Sequence, residues 1–237
     1  MDEKRIAAQS AAELVKHGMV IGLGSGSTAE IAIRIIAEKV KSGLQVIGVP
    51  TSHRSEELAR ALGVRLATLE DYPALDLTID GADEVELGSL DLIKGRGGAL
   101  LREKIVASSS RQLVIVVDES KIVKKLGSHG EVPVEIVPFG WQSTAQRLEK
   151  LGWKPVLRSE VGGAPFVTDG GHYILDCSFE KGLSIQSKAS QLHDTIGVVE
   201  HGMFLDMATE VHVGSAAGVR VLRKDTGDAQ HQGSTSS

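Results

Sequence analysis

Along the first 125 residues, apolar positions switch repeatedly between a helical spacing and short continuous runs. Ile6, Ala7, Ala11, Leu14 and Val15 recur at helical intervals and predict a helix from Ile6 to His17, with Gly18 as its stop. Met19 to Leu23 is a short apolar run, the mark of a buried strand. Ser27 or Thr28 then predicts the cap of a second helix reaching about Val40, whose apolar face carries Ile31, Ile35 and Ile36. Next come a strand at Gln45 to Val49 and a helix at Arg54 to Leu62, opened near Ser52 or Ser55 and stopped by Gly63. Val64 to Thr68, Asp76 to Ile79 and Leu90 to Ile93 read as strands, Ala99 to Ser108 as a helix, and Leu113 to Val117 as the most hydrophobic strand of all. Strands alternating with helices imply right-handed crossovers and a largely parallel sheet.

Near residue 128 the rhythm changes, after the loop-like Ser128-His129-Gly130. Val132 to Val137, Pro155 to Arg158, Phe166 to Thr168 and Tyr173 to Asp176 are patterned as strands, and Trp141 to Leu151 and Ser184 to Ile196 as helices. That order predicts a small α+β unit of the split βαβ type. Val211 to Val213 and Val219 to Leu222 return to simple strands that can rejoin the first sheet and make the small unit an insertion. The expected division is an α/β domain at 1–129 plus 206–224, a smaller α+β domain at 130–205, and a polar, Gly/Ser-rich tail at 225–237, expected to be disordered.

Composition narrows the function classes. The chain has 237 residues, 41% apolar and 24% charged, which suits a soluble globular protein with a substantial core. Aromatic residues make up only 3%, so Val, Ile, Leu and Ala must fill that core. A net charge of −5 argues against general nucleic-acid binding, which needs a basic surface. One cysteine, Cys177, rules out an intramolecular disulfide and a multi-thiolate zinc cage. Its apolar setting reads as buried and inert. No stretch is apolar and long enough to cross a bilayer, and the charged start has no signal segment, so no membrane partner and a cytoplasmic location are expected.

Candidate chemistry gathers at turns that follow strands. Gly22-Leu23-Gly24-Ser25-Gly26-Ser27-Thr28 leaves a strand and opens a helix, a context in which amide N–H groups and hydroxyls make an anion site. The Walker pattern needs a lysine where Ser27 and Thr28 stand, and the dinucleotide fingerprint lacks both its third glycine and the acid after the second strand. A phosphate monoester fits better. In Ile79-Asp80-Gly81-Ala82-Asp83-Glu84, the two aspartates share one face if the turn continues helically. They also suit Asx-turn or cap duty, or a divalent cation. Lys94 ends a strand before Gly95-Arg96-Gly97-Gly98 and can neutralise a phosphate or a developing oxyanion. Glu103, in the helix beyond, is either a solvated helix-face charge or a base. Lys121 again follows a strand and can be a phosphate partner or a surface lysine, and Lys4 and Arg5 read as solvated helix residues. The eight histidines show no metal spacing.

These segments together resemble the ribose-5-phosphate isomerase family, type A. The resemblance rests on Gly22 to Ala29, Ile79 to Glu84 and Ile93 to Lys104, with Val117-Asp118-Glu119-Ser120-Lys121, Pro133 to Pro138 and Thr168-Asp169-Gly170-Gly171 in the family's order and spacing, from about residue 3 to 224. It implies an α/β fold with a Rossmann-like, mostly parallel sheet domain and a smaller ferredoxin-like domain near the C-terminus. It implies interconversion of ribose 5-phosphate and ribulose 5-phosphate without metal or cofactor, in a homodimer or tetramer. By the same resemblance Glu103 is the base. The chemistry of an enediolate adds Lys94 as its charge partner and Asp80 as a proton shuttle or an aid to ring opening. The substrate site then comprises Ser25, Gly26, Ser27, Thr28, Asp80, Gly81, Ala82, Asp83, Lys94, Gly95, Arg96, Gly97 and Lys121. Ser25 stands where many relatives carry threonine, which preserves the hydroxyl. The competing expectation is a sugar-phosphate sensor that keeps the phosphate loop and lacks the base.

Overall fold

The computed structural model describes residues 2–179 and 184–224, so the 225–237 tail lies outside the described residues. The chain opens with α1 (Glu3–Ala12), where the Asp2 carboxylate caps by accepting from the Lys4 N–H. β1 (Val20–Leu23), α2 (Ser27–Lys41), β2 (Ile47–Pro50), α3 (His53–Ala61) and the short β3 (Arg65–Leu66) follow. Then come β4 (Leu77–Asp80), β5 (Glu84–Glu86), β6 (Leu92–Ile93), α4 (Leu100–Ser108), β7 (Leu113–Asp118), a 3-10 turn at Glu119–Lys121 and β8 (Ile122–Val123). The second half supplies β9 (Val132–Ile136), α5 (Trp141–Lys150), β10 (Trp153–Leu157), β11 (Tyr173–Phe179), α6 (Ile185–His193) and β12 (Val198–His201). β13 (Met203–Phe204), β14 (Glu210–Ser215) and β15 (Gly218–Arg223) close it.

The main sheet runs β15-β14-β7-β4-β1-β2-β3, parallel throughout except for the antiparallel edge β15. The chain moves from β1 outward to β2 and β3, then crosses back to place β4 on the other side of β1. Strand order therefore reverses between β1 and β4, and a crevice opens beyond their carboxyl ends, where open α/β sheets bind ligands. Leu23 pairs with Ile79, so the turns after both strands emerge side by side. Fully buried Ile21, Leu23, Leu77, Ile79, Val114 and Val116 pack under α1 and α2 on one face, while Leu113, Ile115, Val117, Val211 and Val213 fill the other. Strands buried on both faces are why these segments read as continuous apolar runs.

The second sheet, β10-β11-β9-β12, is antiparallel throughout and carries α5 and α6 in β-α-β-β-α-β order. Its core joins Val132, Val134, Ile136, Leu148, Trp153, Leu175 and Leu192 to Cys177, which is fully buried. Burial, then the neighbouring Asp176 charge, holds the Cys177 thiol above its ordinary range. A third sheet, β13-β6-β5-β8, bridges the other two.

Four local expectations are corrected. The first helix ends at Ala12 rather than His17, because the Leu14 and Val15 N–H groups bond back to Ala11 O and Ala12 O in a tight turn that drops Val15 into the core. Gly26, at φ +86°, is the N-cap of α2, so neither Ser27 nor Thr28 spends its side chain on capping. The segment after Asp80 is not helical but turns into β5, so the two aspartates share no helix face. Phe166 to Thr168 is a loop: Phe166 N–H reaches Arg158 O, and its ring packs against Gly98.

Candidate active site

The crevice is built by three turns. Gly24 follows β1 and lies tight against β4: a Cβ there would lie 2.3 Å from Asp80 Oδ1, so no larger residue fits. The Asp80 carboxylate accepts the Ser25 N–H at 2.9 Å and the Gly81 N–H at 2.8 Å through the same Oδ1, which ties the β1 turn to the β4 turn. Beyond Gly26 the first turn of α2 presents free N–H groups and the Ser27 and Thr28 hydroxyls, a setting that favours an anion. Lys4, from α1, donates its ammonium to Ser27 Oγ at 3.0 Å and so brings a cation to the same place. Lys121 approaches from the 3-10 turn after β7.

The third turn carries the charges. Short β6 ends at Lys94, whose N–H donates to Gly202 O at 2.8 Å, pinning the residue to the chain between the second and third sheets. Its ammonium donates to Gly81 O at 2.6 Å and lies 3.1 Å from Asp80 Oδ2 and 3.2 Å from Glu103 Oε1. Asp80, Lys94 and Glu103 are 0%, 2% and 4% exposed. Two carboxylates and one ammonium in so little water leave the account incomplete. Asp80 Oδ2 meets Lys94 off the hydrogen-bond direction, and Glu103 Oε2 has no hydrogen-bond partner. Burial alone would lower the Lys94 pKa, but the charges of Asp80, Glu103 and Asp83 outweigh it and raise it, so Lys94 stays an ammonium. Glu103 is pushed up to about 8, first by burial and then by the Asp80 charge, with Lys94 offsetting only part of this.

Lys94 and Glu103 face a cavity of about 130 Å³. Ser25 to Thr28, Gly81 to Asp83, Lys94, Gly95, Gly97, Glu103 and Lys121 line it, all named from the sequence, and Lys4 joins them. The sequence reading missed Lys4, whose amphipathic helix position carries no hint that the start of α1 meets the start of α2. Two expected residues stand elsewhere. Asp80 is fully buried behind the wall, gripped by two N–H groups and Lys94. The Arg96 side chain is exposed and turns away to His129 O at 2.9 Å, while its backbone N–H donates to Asp83 Oδ2 at 3.0 Å. A larger groove of about 790 Å³ runs between α3, α4 and edge strand β3, but it holds none of the Asp80–Lys94–Glu103 cluster. Among the described residues no three His, Cys, Asp or Glu side chains gather in a way that could hold a metal ion.

Comparison with known proteins follows the same lines. Residues 47–218 match the family described as ribose 5-phosphate isomerase A (phosphoriboisomerase A). The chain is 54% identical over 222 residues to ribose-5-phosphate isomerase A of Synechococcus sp. (strain JA-3-3Ab), covering 93% of this chain and 96% of that protein. Among solved structures, ribose 5-phosphate isomerase A from Methanocaldococcus jannaschii superposes with a TM-score of 0.90 at 40% identity, over 94% of this chain and 99% of that one. A D-ribose-5-phosphate isomerase in complex with phospho-erythronic acid gives a TM-score of 0.90 at 37% identity, over 94% and 98%.

Proposed function

The chain belongs to the ribose 5-phosphate isomerase A family and interconverts ribose 5-phosphate and ribulose 5-phosphate, and we propose that Glu103 is the base that carries the proton between C2 and C1. The observation behind this assignment is the Glu103 carboxylate itself: buried, pushed up to about 8, and left with Oε2 unpartnered at the cavity. A carboxylate with an ordinary pKa is a weak base toward carbon, whereas one poised near the working pH transfers protons efficiently in both directions.

The reaction then proceeds from the open-chain sugar. Glu103 Oε2 removes the C2 proton, and the electron pair moves into the C1–C2 bond as the C1 carbonyl oxygen takes up negative charge. The Lys94 ammonium, 3.2 Å from the other Glu103 oxygen, supplies the fixed positive charge for that enediolate. Glu103 returns the proton to C1, and the hydroxyl proton passes from O2 to O1 to complete the ketose. Asp83 lines the cavity and is the carboxylate placed to bond sugar hydroxyls. Asp80, behind the wall, serves by holding Lys94 charged and in place. The α2 N-terminus with Ser27, Thr28, Lys4 and Lys121 is the seat for the 5-phosphate.

The test is Glu103→Gln, assayed for conversion of ribose 5-phosphate to ribulose 5-phosphate. We expect kcat to fall by about 10³-fold or more with KM within a few-fold. Turnover near the parent rate would remove Glu103 from the base role. The sensor alternative gains no support, since the relatives reported above are isomerases by name.

The same reading takes in a cytoplasmic homo-oligomer and a division into 1–129 plus 206–224 and 130–205. Support for association is the exposure of Phe139 (94%) and Ile196 (77%), which flank the Val137 N–H to Gly197 O bond. Light scattering that returned a monomer mass at micromolar concentration would sink it. Support for the division is that the cluster under the second sheet draws most of its residues from 130–205, with only Ile93, Val123 and Leu126 added from 1–129. Hydrogen exchange that opened both sheets in one step would count against it.

A further inference from the structure

We infer that Arg158, carried by the second sheet, is a positioning residue that aims the Gly97 N–H into the active-site cavity. The inference rests on the isomerase reading above and deepens it. Arg158 follows β10, where its N–H donates to Ile174 O at 2.9 Å and its carbonyl accepts from Phe166 N–H at 2.9 Å, so its backbone is held from both sides. Its guanidinium grips the β11 carboxylate of Asp176 in a fork, Nε to Oδ2 at 2.9 Å and Nη2 to Oδ1 at 2.5 Å. The remaining Nη1 donates to Gly95 O at 3.1 Å and to Arg96 O at 3.0 Å, crossing from the second sheet to the loop after Lys94.

The consequence lies in peptide geometry. The Gly95–Arg96 peptide is held at both ends, its carbonyl by Arg158 and its N–H by Asp83 Oδ2 at 3.0 Å. The Arg96–Gly97 peptide is held at its carbonyl by Arg158. All described peptide bonds are trans, and in a trans peptide the N–H points opposite to the C=O. Drawing Arg96 O toward the second sheet therefore turns the Gly97 N–H the other way, and Gly97 lines the cavity beside Lys94 and Glu103. A donor on the carbonyl also polarises the peptide and strengthens its N–H as a donor. Phe166 fixes the far end of the loop. Its ring lies 5.8 Å from the Arg158 guanidinium and presses on Gly98, where a Cβ would sit 2.4 Å from its Cζ. Among the described residues the second sheet supplies none that lines this cavity, yet it sets the direction of a group that does. A preorganised N–H of this kind matters most where charge develops, so its loss should appear in kcat more than in KM.

The experiment compares Arg158→Met, Arg158→Lys, Asp176→Asn and the Arg158→Met/Asp176→Asn double variant, measuring kcat and KM for ribose 5-phosphate and the thermal midpoint. Arg158→Met keeps the apolar stem and is expected to lower kcat by about 10- to 100-fold with KM within about 3-fold. Asp176→Asn is expected to lower kcat by a smaller factor, and the double variant to be no worse than Arg158→Met alone, because the carboxylate acts through the guanidinium. Guanidinium chloride at about 20 mM, far below denaturing levels, is expected to restore part of the Arg158→Met rate and leave the parent rate unchanged. The inference is overturned if Arg158→Met keeps kcat within about 2-fold of the parent, if KM rises while kcat holds, or if the two single losses simply multiply. Should Arg158→Met fail to fold, Arg158→Lys decides, and a parent-like kcat there overturns the inference too. An inactive Glu103→Gln beside an unaffected Arg158→Met removes the positioning role alone, whereas an active Glu103→Gln removes the base assignment.

Discussion

One buried and one partly buried ammonium group approach the same fully buried ring: Lys94 lies 5.5 Å from the centre of Phe204 and Lys104 lies 4.8 Å from it. Each also meets a glutamate, yet the two clusters behave in opposite ways. Lys104 spends its three N–H bonds on Glu200 Oε1 at 2.7 Å, His201 O at 2.6 Å and Met203 O at 2.9 Å, which fastens α4 to β12 and β13. Burial works to raise the Glu200 pKa, but Lys104 outweighs it and the net shift is downward. Glu103 goes the other way, up to about 8, because it is buried more deeply and Asp80 adds a second negative charge beside the one cation. A completed set of partners makes a fastener. An incomplete one leaves a carboxylate oxygen free to take a proton. Successive residues on a helix point about 100° apart, so Glu103 and Lys104 serve the two clusters from one turn of α4.

The largest expected effect sharpens this contrast. Glu103→Gln should cost about 10³-fold or more in kcat, while Glu200→Gln should leave kcat within about 10-fold of the parent. Equal losses would erase the distinction between the two clusters. The cations should divide in the same way. Lys94→Met should lower kcat by about 10²- to 10³-fold. Lys104→Met should act chiefly on stability, by about 2 kcal/mol in denaturant unfolding, because it takes the cation from Glu200 and the donor from His201 O and Met203 O.

The pH dependence follows from the Glu103 shift. The base works only when ionised, so kcat/KM should climb as pH rises toward about 8 and level off above it, with that limb missing in Glu103→Gln. For stability the sign is opposite. A carboxyl raised from 4.5 in the unfolded chain to about 8 in the folded one contributes stability below 4.5 that is lost as pH rises through 8. Glu103→Gln should therefore gain on the parent across that window, and unfolding curves at the two ends would detect a change of the wrong sign. The smallest effects belong to the phosphate end. Thr28→Val and Lys4→Met should raise KM for ribose 5-phosphate by about 5- to 10-fold with kcat nearly unchanged. A fall in kcat instead would place those residues nearer the chemistry.

Most residues lining the cavity were legible before any coordinates. Ser25 to Thr28, Asp83, Lys94 and Gly97 sit in glycine-rich turns just beyond apolar strands, and such turns collect at the carboxyl edge of a parallel sheet. Glu103 was ambiguous on spacing alone, since a helix-face carboxylate is usually solvated, and only its resemblance to a family base singled it out. Of the third sheet only β6 was read, within Leu90 to Ile93; β5, β8 and β13 went unread because strands of two or three residues carry no period. Whether the Asp80–Asp83 turn continues helically stayed open, because the pairing of β5 with β6 and β8, which pulls the chain away from a helix, is not written in the local sequence.

What the chain alone determined is the set of strands and helices, the turns that bear chemistry and the family to which they point, because apolar period and glycine placement are local properties of the polymer. Depth and direction were decided only by folding. Asp80 sank behind the wall, Arg96 turned outward, Lys4 reached Ser27 across 23 positions, and Arg158 crossed 62 positions to hold Arg96 O. Each of these depends on which segments exclude water together, and water exclusion is also what lifts Glu103 into the range where it can act as a base.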